Sequence, residues 1–161
     1  MSNNANPNNI KLGQVVESKV YGFRGIAICY TEHLNGMMQF HVRLPSVNNE
    51  YPDLKMVDAP DLSHVKDKVL KDLEPQPLQW KKHIDLGDEV YSESLGLKGV
   101  ATELWFFISG DVKVHVGLKE AYCGEDYVVR YADTFEPTIK KKSKPKHKES
   151  GCMRTNTLTN L

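Results

Sequence analysis

The feature that most constrains this chain of 161 residues is an internal repeat. Residues 10–44 align without a gap on residues 84–118, at an offset of 74, and 12 of the 35 positions are identical. Each of the four glycines of the first copy falls on a glycine of the second, so the sequence predicts a tandem duplication. The identical pairs are Ile10/Ile84, Leu12/Leu86, Gly13/Gly87, Val16/Val90, Ser18/Ser92, Gly22/Gly96, Gly25/Gly99, Ala27/Ala101, Gly36/Gly110, His41/His115, Val42/Val116 and Leu44/Leu118.

Each copy has the pattern of short strands joined by glycine turns. Apolar and polar residues alternate over 39–44 and 112–118, which places one face of a strand on a core and the other in water. About five strands in about 55–60 residues favour a partly open barrel, because closure protects the strand edges. The predicted tight turns are GFRG (22–25) and GLKG (96–99), and the predicted hairpin ends are LNG (34–36) and ISG (108–110).

The segments outside the two copies differ in composition. Apolar residues at helical spacing predict a short helix within 63–73, and EPQP (74–77) ends it. Trp80 is expected to pack this linker against a barrel. The predicted fold is all-β, with two tandem five-stranded small barrels. Its parts are a flexible N-terminus (1–9), a first barrel (10–62), a linker with a short helix (63–83), a second, acidic barrel (84–138) and a disordered basic tail (139–161).

The formal net charge of zero conceals a division. Residues 84–138 carry a net charge of −7, whereas residues 139–161 carry +6. Clustered lysines bind nucleic acid without sequence preference, but they could equally pair with the acidic barrel of the same molecule. The tail lysines are Lys140, Lys141, Lys142, Lys144, Lys146 and Lys148.

Several classes of protein are disfavoured by what the sequence contains. No apolar run approaches the ~18 residues of a membrane helix, and the polar start MSNNANPNN does not resemble a secretory signal. Cys29, Cys123 and Cys152 are odd in number and far apart, which disfavours a disulfide framework and a CxxC zinc site. No catalytic or phosphate-binding motif occurs. We therefore expect a cytoplasmic protein without enzymatic activity, metal, cofactor or membrane contact.

The motif that follows Gly13 supports two resemblances. The run LG-x-x-V-x-S-x-x-x-G-[FL]-[RK]-G-[IV]-A resembles the KOW-type, Src-homology-3-like small barrels of ribosomal and transcription-elongation proteins. It is more closely similar to short barrel proteins of tailed bacteriophages, which carry the order G-D-x-V, G-[FL]-x-G-[IV]-A and [TR]-E-x-L-x-G. The first copy matches with Gly13, Val16, GFRGIA (22–27) and TEHLNG (31–36).

This resemblance covers about residues 10–62 and 84–136. The second copy departs from the pattern, because WFFISG (105–110) replaces TEHLNG. The bacteriophage family carries no agreed activity, so the resemblance implies a small-barrel fold and a viral origin, and the protein would then act in the cytoplasm of a bacterial host.

The candidate binding residues lie on polar strand faces, in turns and in one aromatic run. For His41 and His115 two interpretations stay open: ligand contacts that titrate near neutrality, and solvated strand positions, the second being favoured. Arg24 and Lys98 could present charge to a phosphate beside a glycine turn or simply be solvated, and again the second is favoured. The full set is Arg24, Gln39, His41, Arg43, Lys98, Trp105, Phe106, Phe107, Lys113 and His115.

The run WFF (105–107) is the most distinctive apolar segment. Alternation puts Trp105 and Phe107 on one strand face and Phe106 on the other, so at least one aromatic side chain leaves its own core. A contact between the two barrels is favoured over a homodimer seam or an anchor for a partner, because each barrel is small. MMQF (37–40) is its predicted counterpart in the first copy.

The function predicted from sequence is binding. We expect a bacteriophage-type adaptor that docks on a host or viral protein. A nucleic-acid-binding accessory protein of the transcription or translation type is the first alternative. A sponge for nucleotide immune signals is the second, using a pocket between barrels or protomers with Arg24, Arg43 or His41 facing phosphates. A virion component is the third, and a homo-oligomer is compatible with each.

Overall fold

The computed structural model describes residues 5–48, 50–65, 71–81 and 83–138, and this part of the chain is all-β. Two 3₁₀ helices, Ala59–Asp61 and Ala132–Thr134, are its only helical segments, and no helix in it is long and apolar enough to cross a membrane. The predicted basic tail, with its six lysines, lies outside the described residues. The strands are β1 Val15–Ser18, β2 Phe23–His33, β3 Met38–Arg43, β4 Leu54–Asp58, β5 Leu62–His64, β6 Glu89–Ser92, β7 Leu97–Phe107, β8 Val112–Tyr122, β9 Glu125–Tyr131 and β10 Glu136–Pro137.

The ten strands form one curled antiparallel sheet in which the two halves have the same strand order. The first half pairs its strands in the order β5-β1-β2-β3-β4, and the second in the order β10-β6-β7-β8-β9. In each half a 3₁₀ helix connects the last two strands. The hairpin ends predicted at LNG and ISG connect β2 to β3 and β7 to β8.

The paired glycines of the repeat serve two different purposes. Gly22 and Gly96 have positive φ angles of 68° and 64° and lie in the turns before β2 and β7, as the turn prediction requires. Gly25 and Gly99 do not belong to those turns, which corrects the prediction for GFRG and GLKG. They lie inside β2 and β7, where an added Cβ would overlap a backbone carbonyl oxygen of the neighbouring strand. They are therefore required for close strand approach.

A β-bulge divides each of the two long central strands. The register of β2 against β3 shifts between Ala27 and Cys29, which leaves Ile28 as the extra residue. The part of β2 before the bulge pairs with β1, and the part after it pairs with β7 of the other half. The register of β7 against β8 shifts at the equivalent place, between Ala101 and Glu103. Through this pairing, β7 covers the edge of β2 that the first half leaves open, and β2 covers the edge of β7 that the second half leaves open.

Two hydrophobic cores lie on one side of the sheet and meet at a tyrosine. The core of the first half is built around Phe40, and the core of the second half around Phe135. Tyr30 packs against both cores, and its ring stacks on Phe106 with 4.7 Å between the ring centroids. The tyrosine therefore couples the packing of the two halves.

The linker is not helical where the structure describes it, so the predicted helix is wrong at its start. Ser63 and His64, which were assigned to that helix, belong to β5 and pair with β1, while residues 66–70 lie outside the described residues. Residues 71–80 have no regular secondary structure. They are held by backbone hydrogen bonds that Leu73 and Gln79 donate to Gly13 and Gly110, each at 2.7 Å.

Candidate functional site

The two halves meet in an antiparallel pairing of β2 with β7 that has internal symmetry. Thr31 is directly opposite Trp105, and these two residues are equivalent in the repeat. The pair Cys29–Phe107 is in turn equivalent to the pair His33–Glu103. A pseudo-twofold axis therefore passes between Thr31 and Trp105. This is the isologous arrangement that a symmetric dimer would use, here within one chain.

Residues paired across antiparallel strands lie on the same face, so the register defines one continuous surface on the side opposite the cores. We call this surface, which runs over β4, β3, β2, β7, β8 and β9, the junction face. Its polar and aromatic residues are Asp58, Gln39, His41, Thr31, His33, Glu103, Trp105, Phe107, Lys113, His115 and Tyr131, and Met56, Cys29 and Val129 lie among them.

The centre of the junction face is aromatic. The Trp105 ring lies with its centroid 5.4 Å from that of His41 and 6.5 Å from that of Phe107. The ammonium group of Lys113 lies over two rings, 5.4 Å from the centroid of Phe107 and 5.1 Å from that of Tyr131. The first four of these residues are half-buried and Tyr131 is exposed, so the cluster offers accessible apolar surface around one cation.

A chain of polar contacts crosses the junction beside the aromatic cluster. The Nε2 atom of Gln39 donates to Asp58 Oδ1 at 2.8 Å, which leaves Gln39 Oε1 facing His33 Nε2 at 3.0 Å. The other ring nitrogen of His33 lies 3.2 Å from Glu103 Oε1, and Glu103 Oε2 accepts from Trp105 Nε1 at 2.9 Å. Glu103 therefore holds the indole of Trp105 in place, and its contact with His33 links the second half to the first.

Three polar groups under the aromatic rings are shielded from water. Burial raises the pKa of the Cys29 thiol to about 12, although nearby Lys113 acts in the opposite direction. Burial also lowers the pKa of His41. The buried atoms Thr31 Oγ1 and His41 Nε2 have no hydrogen-bond partner among the described residues. A thiol held in its neutral form is a poor nucleophile, and Cys29 is buried within the sheet.

His115 is also a packed residue. Its ring stacks on Tyr127 with 4.6 Å between centroids, and its Nδ1 atom lies 2.7 Å from Thr102 Oγ1. His41 and His115 are both half-buried among aromatic rings. The structure therefore does not support the favoured interpretation that both are solvated strand positions.

Six of the ten binding residues predicted from sequence lie together on the junction face: Gln39, His41, Trp105, Phe107, Lys113 and His115. Phe106 points the other way and is buried in the core of the second half, so the predicted alternation of WFF is confirmed. The contact of this run with the first half is confirmed by its pairing with β2. In that pairing Trp105, Phe106 and Phe107 lie opposite Thr31, Tyr30 and Cys29. MMQF (37–40), the predicted counterpart, pairs with β2 of its own half and not with β7.

The three remaining predicted residues, Arg24, Lys98 and Arg43, do not lie together in the structure. Arg24 is exposed and its Nε atom is 3.1 Å from a carboxylate oxygen of Glu17. Lys98 lies in β7 opposite Tyr91 and is exposed. Arg43 is at the end of β3 that is remote from the junction, opposite Ile26 and next to Leu44. These cations lie in separate places and do not form one phosphate site.

Five of the polar and aromatic residues of the junction face were not among the predicted residues: Thr31, His33, Glu103, Asp58 and Tyr131. Period-two alternation assigns His33 and Glu103 to polar faces of their own strands, but it does not show that the two strands pair. An isologous β2–β7 pairing places one residue opposite its own equivalent in the repeat, and the structure shows that this residue is Thr31, opposite Trp105.

A cleft of about 400 Å³ lies on the core side of the sheet, between the first half and the linker. Its lining is mostly apolar, with Tyr30, Met38 and Phe40 on one wall and Pro75 and Leu78 on the other. Burial is the main cause that raises the pKa of Tyr30 to about 12. None of the three residues predicted to face phosphates, Arg24, Arg43 and His41, lines this cleft.

Comparison of the chain with models of protein families, with curated proteins and with solved structures finds no match in any of the three. Within the described ranges, no group of three or more His, Cys, Asp or Glu side chains is arranged to hold a metal ion.

Proposed function

We propose that this chain is a non-enzymatic adaptor that docks on a protein partner through the junction face. We further propose that its two halves are Src-homology-3-like small barrels derived from a duplication, and that it belongs with bacteriophage proteins of that type. The strand order β5-β1-β2-β3-β4 and the 3₁₀ helix before β5, both repeated in the second half, support the barrel assignment. The motif resemblance supports the bacteriophage assignment.

The observation that carries the binding proposal is the composition of the junction face. Trp105, Phe107 and Tyr131 present aromatic surface to solvent around Lys113, while the acidic groups nearby are already hydrogen-bonded. Aromatic side chains held rigidly in this way lose little conformational entropy on binding and are enriched at the energetic centres of protein interfaces. The fixed indole of Trp105 is therefore the proposed anchor.

The charges favour a protein over a nucleic acid or a nucleotide. Binding to a phosphate backbone depends on clustered cations, and the second half carries a net charge of −7. On the junction face Lys113 is already engaged with two aromatic rings. In the part of the chain that the structure describes, this face has no second lysine or arginine beside Lys113, and the cleft near the linker has a mostly apolar wall to which Lys11 adds one cation.

Affinity capture with the tagged full chain from a nuclease-treated bacterial extract tests the proposal. We expect a protein that is retained by the wild-type chain and lost with Trp105→Ala, because that substitution removes the anchor and leaves the sheet register intact. Tyr51→Ala is the matched control, since Tyr51 is fully exposed and lies in the loop before β4. A partner that Tyr51→Ala also loses would contradict the assignment of the surface.

The same capture distinguishes the alternatives. If nuclease treatment removes every associated molecule, the protein-partner proposal fails and a nucleic-acid-binding accessory role takes its place. A thermal shift with cyclic nucleotides or ADP-ribose derivatives would instead favour a nucleotide sponge. Detection of the chain in purified particles by mass spectrometry would favour a virion component.

A further inference from the structure

The outer edge of β9 is an unpaired strand edge. In the described part of the chain, β9 pairs only with β8, and no backbone hydrogen bond reaches its other side. Five consecutive residues, 127–131, are in register with β8, so the edge is regular over that length. Such an edge is a ready template for another strand, and most proteins protect it. The question is which strand fits it.

The sequence of β9, EDYVVRY, is complementary to itself when it runs antiparallel. A twofold axis perpendicular to the sheet and centred on Val128 places Asp126 of one copy opposite Arg130 of the other. The symmetry repeats this pair, so the interface contains two oppositely charged pairs. It also places Tyr127 opposite Val129 twice. Opposite charges and aromatic–β-branched pairs are favourable cross-strand neighbours.

Asp126 and Arg130 are available for this pairing. Both are exposed, and neither has an ion-pair partner among the described residues. The Arg130 guanidinium donates at 2.8 Å to the carbonyl oxygen of Val129 in its own strand, so it already lies along the edge. A registered partner strand would replace that contact with a carboxylate.

Neighbouring registers are less favourable. Centring the axis on Tyr127 places Asp126 opposite Val128, and centring it on Val129 places Arg130 opposite Val128. Within β4 (Leu54–Asp58), the equivalent edge of the first half, no such register pairs opposite charges. Lys55 and Asp58 point to opposite faces of β4, so a perpendicular twofold axis cannot pair them, and Lys55 is already bound to Asp53 at 2.8 Å.

From these observations we infer that the chain forms a homodimer through antiparallel pairing of two β9 edges, centred on Val128. The dimer extends the sheet of one copy into the sheet of the other and doubles the junction face. It can be tested separately from the partner proposed above, because Asp126 and Arg130 lie outside the junction face, whose proposed anchor is Trp105.

Sedimentation velocity of the full chain over a range of concentrations, with charge-reversal variants, tests the inference. Asp126→Arg alone and Arg130→Asp alone each place like charges opposite each other twice, so each is expected to raise the dimer dissociation constant about tenfold or more. The double variant Asp126→Arg/Arg130→Asp restores both pairs and should dimerise as the wild type does. An equimolar mixture of the two single variants should form the heterodimer.

Lys55→Glu on the β4 edge is the control and should leave the dimer unchanged. Slower hydrogen exchange of β9 amides at higher protein concentration gives a readout that requires no variant. The inference is overturned by a wild-type chain that is monomeric up to about 1 mM, or by a dimer that neither single variant weakens. Growth beyond a dimer would also overturn it, in favour of end-to-end pairing of β4 with β9.

Discussion

Single residues determine how closely the strands of this molecule approach. Gly25 and Gly99 lie inside long strands, and each admits a carbonyl oxygen of the next strand where a side chain would overlap it. Gly22 and Gly96 provide turns with positive φ and have open space around them. All four glycines are shared by the two copies, yet substitution should affect them unequally.

Gly99→Ala is expected to lower the free energy of unfolding by about 3 kcal/mol, because the new methyl group forces the β7 and β8 backbones apart. Gly96→Ala is the matched control and should cost about 1 kcal/mol, since only the positive φ angle opposes it. Urea denaturation measures both values. Equal costs would contradict the close-approach role of Gly99.

The thiol of Cys29 is expected to be inert in the folded protein. With a pKa of about 12, only about one molecule in 10⁴ carries the thiolate at pH 8, and the side chain is buried. Cys123 is exposed and provides the comparison within the same molecule. Mass spectrometry after iodoacetamide treatment should show alkylation of Cys123 well before Cys29, and modification of both at similar rates would refute the prediction.

Burial of His41 should make stability depend on pH. Its pKa in the folded state is lowered from the ordinary value of 6.5, so below that value the unfolded chain binds the proton more readily. The contribution of His41 to stability is therefore fully present above pH 6.5 and is lost as the pH falls through the lowered pKa. His41→Gln should reduce the loss of stability between pH 7.5 and pH 5.

Chemical denaturation across that pH range measures the effect of His41→Gln. His83→Gln is the control, because the His83 ring is exposed next to Asp85. The prediction fails if His41→Gln leaves the pH dependence unchanged, or if His83→Gln reduces it as much.

At the scale of secondary-structure elements, β2 is the decisive strand. Its bulge at Ile28 lets one strand pair with β1 and then with β7, and Tyr30 follows directly on the core side. Tyr30→Ala should lower the free energy of unfolding by about 2–4 kcal/mol, because it opens a cavity where two cores meet. Tyr21→Ala, which truncates an exposed tyrosine in the turn before β2, should cost less than about 1 kcal/mol.

Hydrogen exchange separates a local effect of Tyr30→Ala from a shared one. If Tyr30 couples the halves, amides of β1 and of β6 should lose protection to a similar extent. Loss confined to the first half would show that the two cores are independent.

The elements also show what the sequence could and could not predict. Alternation over 39–44 and 112–118 and the shared glycines gave an all-β fold with the observed hairpins. They did not predict the β2–β7 pairing, which begins after the bulge at Ile28. A period-two pattern does not show where a bulge residue interrupts a strand. The helix predicted from residue 63 fails because pairing with β1 draws Ser63 and His64 into a strand, a tertiary contact that overrides local spacing.

At the scale of the whole molecule, the strands are related by pseudo-twofold symmetry, but the side chains of the junction face are not. His41 and His115 are retained across the axis, whereas Thr31 faces Trp105 and His33 is the equivalent of Phe107. The backbone is therefore repeated, while the aromatic residues of the proposed docking surface are concentrated on the side of the second half. We expect a partner that contacts the face in one orientation, with one partner bound per chain.

The pairing of β2 with β7 is the central claim, because the junction face exists only if these strands are neighbours. Disulfide formation tests it in a chain with Cys123→Ser and Cys152→Ser. His33→Cys with Glu103→Cys places two thiols on directly opposite residues of one face, so mild oxidation should give an intramolecular disulfide between them. His33→Cys with Leu104→Cys, one residue out of register and on opposite faces, should not cross-link. Efficient cross-linking of the second pair, or none of the first in a folded chain, would contradict the account.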